Sequence, residues 1–156
     1  LLHQFGHDYD DYISQGTNAK MSEFHSIMGR LNLKHLDTII TLRKRIVEGY
    51  IEALNDFPIS FVVPRDTEVQ WNFAYCPILF NNEKALLQSF NHLKKIGINC
   101  RRYFYPALNT LPYLSKSLPC PEGENFAKRV LCLPLFPQMT QQEQSNIIEN
   151  LKKSFH

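Results

Sequence analysis

An apolar stripe of helical period runs from Met21 to Leu54 and restricts this chain to folds in which a long helical segment packs by one face. Its members are Met21, Phe24, Ile27/Met28, Leu31, Leu36, Ile39/Ile40, Ile46/Val47, Tyr50/Ile51 and Leu54. Spacings of three and four residues place them on one side of a helix, facing a core. Ser22 is the expected N-cap, and Glu23 stands in the first turn, where the helix dipole favours an anion. The segment is long for one helix, and Asp37 inside it predicts a break or bend near residues 35–38. Asn55 and Pro58 end it.

Beyond the stripe, strands and helices are mixed. Ile59–Val63 is β-branched and aromatic, and Phe73–Phe80 is a second strand candidate. Pro77 cannot donate to a ladder, so the second strand is expected at an edge or a bulge. A helix is predicted over about 82–96 with Gly97 as its C′ residue, followed by a strand over Ile98–Tyr105. Four prolines (106, 112, 119, 121) mark 106–121 as a loop, ordered because leucines and aromatics are interleaved. A short helix from about Glu122 leads to the strand Val130–Leu133. Thr140 and Glu143 form a capping box ahead of a helix with Ile147, Ile148, Leu151 and Phe155 on one face. No regular βαβ spacing is present, which predicts an α+β domain with a small antiparallel or mixed sheet.

A chain of 156 residues with 44% hydrophobic and 21% charged residues can bury one core. The net charge of +2 gives no reason to expect nucleic acid or a membrane surface as partner. No apolar run approaches the roughly 20 residues that cross a bilayer, and Leu1–Tyr12 does not read as a signal peptide. Cys76, Cys100, Cys120 and Cys132 are widely spaced, with neither a disulfide-framework density nor a zinc-site spacing. They are expected as reduced structural thiols of a cytoplasmic protein. Histidines 3, 7, 25, 35, 92 and 156 lack ligand spacing, so no metal site is expected, and His25 is expected to pack beside the apolar stripe. The acids Asp8/Asp10/Asp11 and Glu122/Glu124 read as solvated or capping groups. No phosphate-binding glycine loop or nucleophile elbow occurs.

Five segments in order carry a family resemblance. Gly16-Thr-Asn-Ala-Lys-Met-Ser-Glu-Phe-His25 resembles the Gly-x-Asn-x-Arg/Lys-Met-Ser/Thr-Asp/Glu signature of the DegT/DnrJ/EryC1/StrS family of pyridoxal-phosphate-dependent sugar aminotransferases. Leu1-Leu-His-Gln-Phe-Gly6 is similar to the segment that comes after that family's cofactor-lysine loop. Arg101-Arg-Tyr-Phe-Tyr-Pro106 is similar to its Arg-x-Tyr-Tyr-Pro strand end. Cys120-Pro-Glu-Gly-Glu124 with Val130–Leu135, and then Thr140-x-x-Glu143, are similar to its last motifs. Together they span nearly the whole chain.

The resemblance implies the C-terminal small domain of a fold-type I aminotransferase with the helix leading into it. The implied division is an irregular leading segment with the interface motif (1–20), a long connecting helix or bent helix pair (21–56), and an α+β small domain (57–156). It implies pyridoxal 5′-phosphate as cofactor, glutamate as amino donor, a nucleotide-linked deoxysugar as acceptor, and a homodimer. The cofactor-bearing lysine would lie upstream of the position matching Leu1. None of the ten lysines here stands in such a context, so the chain by itself is expected not to catalyse transamination and to hold no catalytic residue. Asn18 and Lys20 are expected to reach the phosphate of the cofactor across the dimer interface, an amide donor and a cation suiting a dianion. Arg101, Arg102, Tyr103, Tyr105 and Asn109 are the expected substrate-binding residues, Asn109 standing where the family often has histidine. For the same residues an alternating edge strand or a basic-aromatic nucleic-acid patch are the rival readings. For the whole chain, the rivals are a truncated non-catalytic relative acting in dimerisation or sugar-nucleotide binding, and an unrelated α+β binding domain.

Overall fold

The helical stripe divides where Asp37 suggested it would. In the computed structural model, which describes residues 5–17, 21–64, 66, 68–114 and 117–155, α1 spans Glu23–Leu33 and α2 spans Leu36–Leu54. The break is a tightened turn: Lys34 N–H donates to Leu31 O at 3.2 Å and His35 N–H to Asn32 O at 3.0 Å. Asp37 falls in the first turn of α2, where a carboxylate meets the positive end of the helix dipole. The chain divides into two compact units, residues 1–36 with 104–127, and 37–103 with 128–156.

In the first unit, β1 (His7–Asp8) and β2 (Asp11–Tyr12) form a minimal antiparallel hairpin. This replaces part of the irregular segment expected over 1–20. Gly6 O accepts from both Ile13 N–H (2.9 Å) and Ser14 N–H (3.1 Å). Gly6 has φ +78°, and a Cβ there would collide with Ser14 O, so only glycine serves. Gly16 packs backbone to backbone on Gly6, which gives both motif glycines one physical cause.

Helix α1 begins at Ser22, as its sequence predicts. His25 does not pack beside the stripe: it is exposed, and its Nδ1 accepts from Ser22 N–H at 3.2 Å and lies 2.9 Å from Ser22 Oγ. A side chain that reaches back to the N-cap satisfies a donor of the first turn and cannot also turn to an apolar face. No residue of α1 is buried. Phe24 keeps 82% of its accessible surface, so the core-facing reading of the stripe is corrected for α1. It holds in α2 from Ile46 onward.

The second unit contains a three-stranded antiparallel sheet in the order β3–β4–β5, with β3 Ile59–Phe61, β4 Cys76–Phe80 and β5 Val130–Leu133. The sheet is antiparallel throughout. Helix α3 (Glu83–Lys95) is capped by Asn82, whose Oδ1 accepts from Ala85 N–H at 2.9 Å. It ends at Gly97, with φ +79°. Helix α4 (Pro121–Arg129), whose residues up to Ala127 belong to the first unit, runs directly into β5. Helix α5 (Gln141–Lys153) opens on the Thr140/Glu143 capping box. The core gathers Ile46, Val47, Tyr50 and Leu54 of α2 with Cys76, Ile78 and Phe80 of β4. Leu86 and Leu93 of α3, Leu131 and Leu133 of β5, Ile147 and Leu151 of α5, and Cys100 complete it. Tyr50 is fully buried and donates its hydroxyl to Pro134 O at 3.0 Å.

Three strand expectations are corrected. Pro77 lies in the central strand, not at an edge. Its carbonyl accepts from Val62 N–H at 3.0 Å just beyond β3, so its missing donor falls where that ladder ends. On the other side it faces Cys132, whose N–H and C=O instead pair with Arg101 (2.7 and 3.2 Å). In such a non-hydrogen-bonded pair no donor is required of Pro77. The predicted strand Ile98–Tyr105 shrinks to that single bridge at Arg101. Likewise β4 starts at Cys76 rather than Phe73, because Phe73 has φ +49° and Asn72 Oδ1 accepts from Ala74 N–H (3.0 Å) in a turn.

Candidate functional site

The second unit presents a short segment, Arg101–Tyr103, beside β5. Three anchors fix it. Arg101 makes the main-chain bridge to Cys132. The Arg102 side chain, 6% exposed, turns inward, and its Nη2 donates to Glu83 Oε1 at 3.0 Å and to Lys128 O at 3.3 Å. Tyr103 N–H is directed at the Cys132 sulfur. Burial pushes the Cys132 thiol up to about 11, and that N–H partly offsets the rise. A buried guanidinium needs a partner such as Glu83, because an unpaired charge there would be costly. Arg101 is exposed and Tyr103 is half-buried. Tyr75, one residue before β4, meets Tyr103 edge to face with centroids 5.4 Å apart at 84°.

In the first unit Tyr105 is half-buried and precedes Pro106 through a cis peptide bond. Asn109 lies in a 3-10 turn at Leu108–Thr110. Its Nδ2 donates to Glu124 Oε1 at 2.6 Å and to Leu118 O at 3.3 Å. The same Glu124 oxygen accepts from Cys120 N–H at 3.0 Å, at the start of α4. The capping role expected of Glu124 is present, and it also ties the helix start to Asn109.

The five substrate-binding expectations therefore fall into two sets, Arg101–Tyr103 in one unit and Tyr105 with Asn109 in the other. Asn18 and Lys20 lie outside the described residues. Met21, Ser22 and Glu23, directly after them at the N-terminus of α1, are all exposed. An amide, an ammonium and a helix N-terminus are donor types that suit a phosphate. Among the described residues no group of three His, Cys, Asp or Glu could hold a metal ion, and no helix is long and apolar enough to cross a membrane. Cys76, Cys100 and Cys132 are buried free thiols and Cys120 is an exposed one.

Sequence reasoning passed over Glu83, the carboxylate role of Glu124 toward Asn109, and Tyr75. Glu83 looks like any first-turn acid, and its partner is 19 residues away. Tyr75 carried a usable signal: Cys76, Ile78 and Phe80 alternate inward, which puts 75, 77 and 79 on the other face.

Residues 1–152 match the model of the DegT/DnrJ/EryC1/StrS aminotransferase family. A dTDP-4-amino-4,6-dideoxy-D-glucose transaminase of Shigella dysenteriae is 33% identical over 144 residues, 88% of this chain and 39% of that protein. The aminotransferase TlmJ of Streptoalloteichus hindustanus superposes with a TM-score of 0.79 at 16% identity, over 93% of this chain and 39% of its own. DesI, solved in the presence of its TDP-sugar product, superposes at 0.74 with 28% identity, over 97% and 40%. The chain thus spans about two fifths of the proteins it resembles.

Proposed function

The chain belongs to the DegT/DnrJ/EryC1/StrS aminotransferase family, and from that premise we propose that it is the C-terminal, substrate-orienting portion of an aminotransferase that aminates a keto group on a nucleotide-linked deoxysugar. The single observation that carries this reading is the match across residues 1–152, with transaminases of dTDP-linked amino sugars among its relatives. Pyridoxal phosphate, when bound, supplies the electron sink for moving an amino group between two carbon skeletons. The residues of this chain bind and orient. Asn18 and Lys20 hold the cofactor phosphate in the site of a second copy. Arg101 and Tyr103 face the sugar nucleotide, and Arg102 between them, turned inward to Glu83, fixes the backbone of that segment; Tyr105 and Asn109 of the other unit are separate candidate contacts. Glutamate is the donor, the working form is a homodimer in the cytoplasm, and the cofactor-bearing lysine lies outside the ten lysines of this chain.

The test is amino transfer by the protein in which this chain is joined to a cofactor-lysine region. With glutamate and a dTDP-linked keto-sugar it should form the amino sugar. Replacing Arg101 by Ala should raise KM for the sugar nucleotide about tenfold or more and leave KM for glutamate within about twofold, since one charge-assisted contact contributes roughly 1.5–3 kcal/mol. Equal effects on both substrates would remove Arg101 from the sugar site.

A further inference from the structure

We propose that Tyr75 is an unassigned binding residue for the nucleotide part of the substrate, its ring and that of Tyr103 forming an aromatic corner on which the base stacks beside the Arg101 cation. The inference rests on the functional reading above and adds a residue and a ligand moiety to it.

The geometry supports a preformed corner. Tyr75 keeps 48% of its accessible surface, too much for a ring that serves only the core. It lies on the sheet face opposite Cys76, the face that also carries Pro77 and its cross-strand neighbour Cys132. Tyr103 is held over that face by its N–H to the Cys132 sulfur, and the residue before it is pinned to Glu83. The edge-to-face contact at 84° engages the rim of one ring against the face of the other, and the half-exposed Tyr75 keeps surface open to solvent. A base needs such a surface, and stacking on an aromatic side chain accepts any base. A diphosphate needs a cation within reach of the stacked base. Arg101, exposed and two residues from Tyr103, is of the right type and offers a planar fork to phosphate oxygens. A bare sugar would call for hydroxyl-directed amides and carboxylates, and the Glu83 carboxylate beside this segment is engaged by Arg102.

The experiment measures calorimetric binding of dTDP, and of dTDP-4-amino-4,6-dideoxy-D-glucose, to the complete protein and three variants. Tyr75→Phe should bind both within about twofold of wild type. Tyr75→Leu, which keeps apolar bulk but has no ring, and Tyr75→Ala should each weaken dTDP at least about tenfold, with cofactor absorbance and melting temperature unchanged. Leucine binding as well as tyrosine would overturn the inference, as would phenylalanine failing as badly as alanine. A wild-type protein that binds neither ligand would refute the functional reading and this inference with it. Wild-type binding with an indifferent Tyr75→Leu refutes the inference alone.

Discussion

Three of the four thiols are enclosed by the second unit, and their protonation is tied to folding. Burial, with the neighbouring thiols adding, pushes Cys76 up to about 12. Burial and Cys132 do the same for Cys100, up to about 12. Each group keeps its proton in the folded chain to higher pH than in the unfolded chain, where it is lost near pH 9. Their contribution is therefore fully present below about pH 9 and is lost as pH rises through 11 to 12, at about 1.4 kcal/mol per pH unit for each thiol. Urea midpoints should be flat from pH 7 to 8.5 and fall above 9, with a shallower fall in Cys100→Ala. Only Cys120 is exposed, so an aromatic disulfide reagent should titrate one thiol in the native protein and four after denaturation. At the other motif, replacing Asn18 and Lys20 together by Ala in the complete protein should weaken cofactor retention at least about tenfold, because two polar contacts to a phosphate exceed the ~1.4 kcal/mol of one decade. Unchanged loss on dialysis would refute the phosphate role of both residues.

Helix α1 and helix α2 share one sequence pattern and have different surroundings. The stripe of α2 is buried from Ile46 onward and that of α1 is exposed, Phe24 at 82% and Ile27 at 55%. A contiguous apolar face of that kind seeks a partner. The 156-residue chain should self-associate with rising concentration in sedimentation, and Phe24→Ser with Met28→Ser should restore a monomer. A monomer without those changes would show that the face is tolerated. In the second unit, Glu83→Ala removes the carboxylate from the inward Arg102 and should cost about 2 kcal/mol in unfolding free energy. Local chemistry made most elements legible in the sequence: the Ser22 and Thr140 starts, the Gly97 stop and β5 are all set by neighbours within four residues. The rest depended on distant partners. The central place of Pro77 depends on where β3 ends and on Cys132 facing Arg101, and no local pattern records either. At 98–105 the predicted strand is reduced to the Arg101–Cys132 bridge, a pairing with a partner distant in sequence. The corner at Tyr75 and the Asn109–Glu124 contact are likewise products of chain segments meeting.

At the scale of the whole molecule, the chain is a family member that covers about two fifths of its relatives, 39% of the Shigella dysenteriae transaminase. The proposed division of labour, with cofactor attachment outside this chain and substrate contacts within it, concerns the protein as a whole. The most direct measurement is amino transfer from dTDP-4-amino-4,6-dideoxy-D-glucose to 2-oxoglutarate, read as glutamate formed, with pyridoxal phosphate supplied. It should be run on the complete protein and, separately, on the 156-residue chain. Turnover by the complete protein and none by the chain alone is the expected result. A complete protein that forms no glutamate, or a chain that forms it alone and loses the activity on Lys20→Ala, would contradict it.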